Sequence, residues 1–108
     1  MSWTVETLNA TLDAEIEALP EDMRASLARI AGLIEDHRPE RVSKPHVRHV
    51  EGRLWEMRLK GHSGFSRALY VTAGNRRRAV MVRVFIKKTE KTPRREIDLA
   101  LARVASVE

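Results

Sequence analysis

Apolar and polar residues alternate most cleanly from Leu54 to Lys60, where LWEMRLK sets Trp55, Met57 and Leu59 against Glu56, Arg58 and Lys60. A period of two predicts a half-buried strand. Trp3 to Leu8 alternates enough for a short first strand. Between Ala10 and Leu19 the period changes, with Leu12, Ile16 and Leu19 at helical spacing. Pro20 interrupts and suits the first turn of a second helix, where Glu21 and Asp22 face the positive dipole end. Met23, Leu27, Ile30 and Ile34 then form one apolar stripe. The first third of the chain thus predicts a helical hairpin.

His37 to His49 has two prolines and no period, and reads as a loop leading into a strand near Val47 to Val50. Glu51-Gly52 marks a turn, as does GHSG after Lys60. RALYVT (67–72) is a further strand, AGNRRR a turn, and AVMVRVFI (79–86) the most apolar strand of all. Its nearly unbroken apolarity predicts a central strand covered on both faces. Thr92 as N-cap and Pro93 at the first helical position open a last helix with Ile97, Ala100, Leu101 and Val104 as its buried stripe. The order β-α-α-β-β-β-β-α is an α+β arrangement around an antiparallel meander.

A chain of 108 residues predicts one domain spanning 1–108. The absence of cysteine excludes disulfides and thiolate chemistry. No signal peptide is expected from MSWTVETLNATLDAEIE, and no apolar run approaches the roughly 20 residues that cross a membrane, so a cytoplasmic address without membrane contact is expected. The net charge of +5 conceals a segregation. Residues 1–36 sum to −6 and residues 37–108 to +11. Such asymmetry makes a field that draws polyanions to one side, which points to nucleic acid or the ribosome.

Small-molecule enzyme signatures are missing: there is no P-loop, GxGxxG or Ser-His-Asp order. His46-x-x-His49 lacks a third ligand nearby and reads as solvated histidines, so no metal or other cofactor is expected. What remains is a set of cations. Arg58 shares its strand face with Glu56 and Lys60, and parity places Arg67 beside Leu69 and Val71. Arg83 interrupts the most apolar run, where a charge is costly unless it is paired or lines a cleft. Either it bridges to Glu56 or a helix carboxylate, or it joins Arg58, Arg67, Lys87 and Lys88 on one concave face. Strict alternation would point it the same way as Met81 and Phe85. Such a face would hold a phosphodiester and offset charge that develops during cleavage, with Phe85 at its edge to stack on a base. Lys91, Arg94 and Arg95 oppose the dipole of the last helix, which suggests contact with an anion as much as with water.

LWEMRLKGHSGFSRALY, followed by VMVRVFIKKTEKTPRREIDLALARV, resembles the phage-derived RelE-like branch of the RelE/HigB toxins of bacterial toxin–antitoxin modules. The resemblance covers nearly the whole chain and rests most on KKTEKTPRREIDLA. It implies a small antiparallel sheet with a mixed edge, flanked by an N-terminal helical hairpin and a C-terminal helix. It also implies a ribosome-dependent endoribonuclease that cuts translated mRNA by attack of the ribose 2′-hydroxyl on the adjacent phosphate. A cognate antitoxin, expected to be a helix-turn-helix DNA-binding protein, would hold it in a hetero-oligomer. By motif, Arg58 and Arg67 correspond to the strand arginines, Lys87 and Lys88 to the basic pair after the strand, and Phe85 to the aromatic position. Arg83, Lys87 and Lys88 are expected to join Arg58 and Arg67 in catalysis, with Lys60, Phe85, Lys91, Arg94 and Arg95 contacting RNA. The sequence departs where relatives have His-Gly, since Arg83-Val84 stands there, and no residue stands out as a general base. The alternative within the same fold is a ParE-like, non-enzymatic toxin that poisons DNA gyrase.

Overall fold

The computed structural model describes residues 3–37, 46–73, 77–88 and 91–107. Most of the loop expected between His37 and His49, and residues 74–76 of the AGNRRR turn, lie outside them. Its elements run β1 (Thr4–Thr7), α1 (Ala10–Glu17), α2 (Glu21–His37), β2 (Val47–Glu51), β3 (Leu54–Gly61), β4 (Gly64–Ala73), β5 (Arg78–Lys87) and α3 (Arg94–Val104). The expected order holds throughout.

The five strands lie in the order β1-β5-β4-β3-β2. β1 pairs parallel to β5, and the other pairs are antiparallel. β5 is an interior strand with apolar partners on both faces, but the middle place belongs to β4. A parallel β1 can lie beside β5 because the long connection between them, residues 8–77, carries the chain over α1 and α2 to the far edge and back through β2, β3 and β4, which supplies the crossover that parallel pairing requires.

Two cores sandwich this sheet. On one face the α2 stripe of Met23, Leu27, Ile30 and Ile34 packs with Leu12 of α1 against Met57, Leu59, Ala68, Tyr70, Met81 and Val84. On the other, Ala100 of α3, with Ile97, Leu101 and Val104 around it, covers Leu54, Leu69, Val71, Val82 and Phe85. The predicted helical stripes are the buried ones because each helix has a single sheet face to cover.

One irregularity redirects β5. Leu69 pairs with Arg83 but Tyr70 pairs with Met81, which leaves Val82 as an extra residue. A bulge of this kind breaks the period of two. Met81 therefore joins the hairpin core while Phe85 joins the α3 core, so Met81 and Arg83 do not share a face as strict alternation required. Thr92 also departs from expectation. Pro93 occupies the N-cap of α3 without a side-chain bond, and the Thr92 hydroxyl instead donates to Glu56 Oε2 at 2.7 Å.

Past the end of β1 the outer edge of β5 is closed by side chains rather than by a strand. Val84 N–H donates to Glu15 Oε1 at 3.0 Å, and Arg103 Nη1 donates to the Val82 carbonyl at 2.9 Å. Glu15 also takes Arg83 at 3.1 Å and Arg103 at 2.8 Å, while Arg83 reaches Glu96 at 2.7 Å. Helices on opposite faces of the sheet are thus tied around its edge, which satisfies backbone groups that would otherwise invite another strand.

A basic cleft at the open end of the sheet

Sheet register brings the strand cations into rows. Arg58, Arg67 and Phe85 are successive partners across β3, β4 and β5, and the next row holds Lys60, Phe65 and Lys87. The row behind them holds Arg48, Glu56, Leu69 and Arg83. Neighbouring strands lie about 4.8 Å apart, so Arg58 and Arg67 are like charges placed directly opposite, an arrangement that opposes folding unless an anion lies nearby.

A cleft of about 210 Å³ opens at this end of the sheet, lined by Arg29, His46, Arg58, Lys60, Phe65 and Arg67. Its wall is built where β2 gives out. Arg58 N–H donates to the His46 carbonyl at 2.8 Å, and β2 begins one residue later. Beyond that point Lys60 N–H turns to Ser26 Oγ of α2 at 3.3 Å, which draws Arg29 alongside. The β3–β4 turn is pinned by Asp22, which accepts from Ser63 N–H at 2.8 Å and from the Ser63 hydroxyl at 2.6 Å. These bonds hold the Asp22 carboxyl below its ordinary value. A Cβ at Gly61 would run into the Asp22 carboxyl and push it from its place against Ser63.

Arg67 is the deepest cation of the cleft, only 3% exposed. Its Nε lies 3.6 Å from Glu56 Oε1 and its Nη1 donates to the Ser66 carbonyl at 3.0 Å. Burial lowers its pKa most; Glu56 opposes that shift, and Arg58 and Arg48 reinforce it. Among the described residues the cleft is thus lined by four cations and no carboxylate, with Glu56 behind it.

Arg58, Lys60 and Arg67 stand together in this cleft. Lys87 continues the row of Phe65, and Lys88 follows, exposed, after the strand. Arg83 is placed elsewhere: Glu96 and Glu15 clamp its guanidinium, and the bond to Glu96 raises its pKa. That is the helix-carboxylate bridge of the two sequence readings. Phe85 is 7% exposed in the α3 core, with the Arg83 guanidinium 5.9 Å from its ring centroid, whereas Phe65 is 50% exposed at the cleft. Arg94 is held by Glu51 at 2.6 Å and Asp98 at 2.8 Å, which raises its pKa; Lys91 and Arg95 are exposed near the start of α3. Among the described residues no group of three metal-ligating side chains is gathered, and His49 bonds the Gly52 carbonyl.

Sequence reasoning missed Arg29, Phe65 and His46 as members of this cleft. Arg29 and His46 reach it from parts of the chain whose juxtaposition with β3 and β4 no local period reveals. For Phe65 the signal was available: parity across GHSG sets it opposite Lys60.

In the comparison with solved structures, the chain is similar to a free-state double mutant of the E. coli toxin RelE, at 13% identity and a TM-score of 0.69, covering 96% of this chain and 99% of that one. It is similar to a chain of the RelBE2 toxin–antitoxin complex of Mycobacterium tuberculosis, at 23% identity and a TM-score of 0.60, covering 82% and 95%. The archaeal RelE–RelB complex of Pyrococcus horikoshii gives 17% identity and a TM-score of 0.60, covering 82% and 98%. No curated protein matches the sequence significantly. The fold is therefore RelE-like, and because residues 14–105 match the family described as phage-derived protein Gp49-like (DUF891), the chain belongs to that family.

Proposed function

We propose that this chain is the toxin of a type II toxin–antitoxin module and cleaves mRNA on the ribosome. The observation that carries the proposal is the cleft: Arg29, Arg58, Lys60 and Arg67 converge around an exposed Phe65, with no carboxylate in the lining among the described residues. Four cations suit a phosphodiester and the additional negative charge of a five-coordinate phosphorus. Phe65 offers a stacking platform that any base satisfies. In the reaction, the ribose 2′-oxygen bonds to the adjacent phosphorus and the bond from phosphorus to the 5′-oxygen breaks. The 2′-proton goes to a base, and the departing 5′-oxygen is protonated. Imidazole is the side chain most often used for such transfers, and we assign the acceptor role to His46. Arg58 and Arg67 hold the phosphoryl oxygens, while Lys60, with Lys87 and Lys88 at the rim, steers the RNA strand. The ribosome supplies the alignment of the 2′-oxygen, which is where a large part of the rate resides.

A cognate antitoxin, which we expect to be a helix-turn-helix protein, would hold the toxin in a hetero-oligomer and cover the cationic cleft; RelE–RelB assemblies are the precedent in this fold. The test is induction in a bacterium with mapping of mRNA 5′ ends, alongside purified ribosomes carrying a defined mRNA. New 5′ ends within translated codons are expected, lost on R58A. Growth arrest with intact transcripts refutes the proposal, and stabilised gyrase–DNA cleavage complexes under the same induction would move the chain to the gyrase-poisoning class.

A further inference from the structure

Glu56 has no role in the reaction above, yet it is 1% exposed and sits directly behind the cleft. A carboxylate so deeply buried persists only when its charge is matched and its oxygens are bonded. Here one oxygen lies at ion-pair distance, 3.6 Å from Arg67 Nε, which makes no hydrogen bond among the described residues, and 3.4 Å from Arg48 Nε. The other accepts the Thr92 hydroxyl at 2.7 Å. Arg48 is half exposed, whereas Arg67 is buried with the carboxylate. Arg67 also faces its like-charged partner Arg58 across the strand pair. Without an anion behind it, its guanidinium would be driven from the cleft by burial and by Arg58 together.

We propose that Glu56 is a positioning residue, whose carboxylate holds the Arg67 guanidinium in the cleft and is itself oriented by Thr92 at the start of α3. The geometry gives a chain of contacts from the segment leading into α3, through Thr92 and Glu56, to Arg67. The strength with which the cleft grips a phosphate therefore depends on how α3 is seated. Glu56 touches no substrate; it acts through Arg67, and this rests on reading the cleft as the site of RNA cleavage.

Two measurements on the full chain test the inference. The first is the Arg67 Nε–H resonance of nitrogen-labelled protein, assigned with R67K. E56Q is expected to move it and speed its solvent exchange, and T92V to do so to a lesser degree. An unmoved resonance in E56Q overturns the proposal whatever the protein cleaves. The second is single-turnover cleavage on mRNA-programmed ribosomes. E56Q is expected to lower the saturating rate about 10- to 100-fold, the scale of a displaced catalytic group, while the half-saturating ribosome concentration stays within about twofold. E56D should recover part of the rate, and E56Q/R67A should be no slower than R67A, since groups that act as a unit are non-additive. An additive loss, or an E56Q enzyme at the wild-type rate, overturns the inference. If E56Q does not fold, T92V decides, with a rate loss of several-fold expected and wild-type behaviour refuting it. Wild-type protein that cuts nothing sinks the proposed function but leaves Glu56 to be judged by the resonance alone.

Discussion

Replacing Glu15 by alanine is the sharpest test of how this fold is held together. The Glu15 side chain, 13% exposed, accepts from Val84 N–H at 3.0 Å and pairs with Arg83 at 3.1 Å and Arg103 at 2.8 Å. E15A leaves the Val84 donor without its partner, which costs about 1–3 kcal/mol. It also strips Arg103 of its carboxylate, while Arg83 keeps Glu96. Removing one member of a buried pair costs about 3–5 kcal/mol, but both arginine side chains are about a fifth exposed, so water screens part of that term. The balance is a loss of about 3 kcal/mol, equivalent to roughly 10–15 °C in Tm for a chain of this size. E15Q keeps an oxygen for Val84 and loses only the charge, so it should lose about half as much. Urea unfolding followed by circular dichroism, with thermal scans, measures both. An E15A protein within about 0.5 kcal/mol of wild type would show that the ties around the β5 edge contribute nothing, and would refute the account given of that edge.

Exchanging the two phenylalanines separates their roles. F65A should leave Tm unchanged and weaken binding of single-stranded RNA by about 1–3 kcal/mol, the range for one stacked base, whereas F85A should lose about 3–5 kcal/mol of stability by emptying a core site. The arginines divide in the same way: R58A should fold normally and lose about a hundredfold or more in single-turnover cleavage, while R83A should show its main effect in unfolding. A fully stable R83A protein without cleavage would return Arg83 to the catalytic group. Asp22 sets a pH dependence. Its folded pKa lies below the unfolded value because Ser63 donates to the carboxylate, so its contribution is present above the unfolded pKa and lost as pH falls through the folded one. Stability of wild type should therefore drop more steeply than that of D22N on acidification below about pH 4, and parallel curves would show that the turn needs no Asp22.

The helices and strands were legible because each has one face to bury, and the period of the apolar residues reports that face directly. Leu12, Met23, Leu27, Ile30 and Ile34 were readable as core for this reason, as were Met57 and Leu59. Trp55 was not, although it shares their parity: at 37% exposed it lies beside His49 in an edge-on ring contact near the outer strand. Periodicity gives the face of a residue and not its distance from the end of the sheet.

The positions of Arg83 and Phe85 were settled by a bulge at Val82, and a bulge is a property of two paired strands that one strand does not encode. The choice between a bridging and a cleft-lining Arg83 depended on Glu15 and Glu96, which stand 68 residues before and 13 after it in the chain. Thr92 has the composition of an N-cap, yet a buried carboxylate from a distant strand competes for its hydroxyl and takes it. Local pattern thus specified the elements, their order and the cationic character of one side of the molecule, because those follow from burial and charge along the chain. Which cations share a cleft, which are neutralised and which aromatic stays in solvent followed from sheet register and helix packing, since electrostatic and stacking interactions act over a few ångströms in space and take no account of separation in sequence.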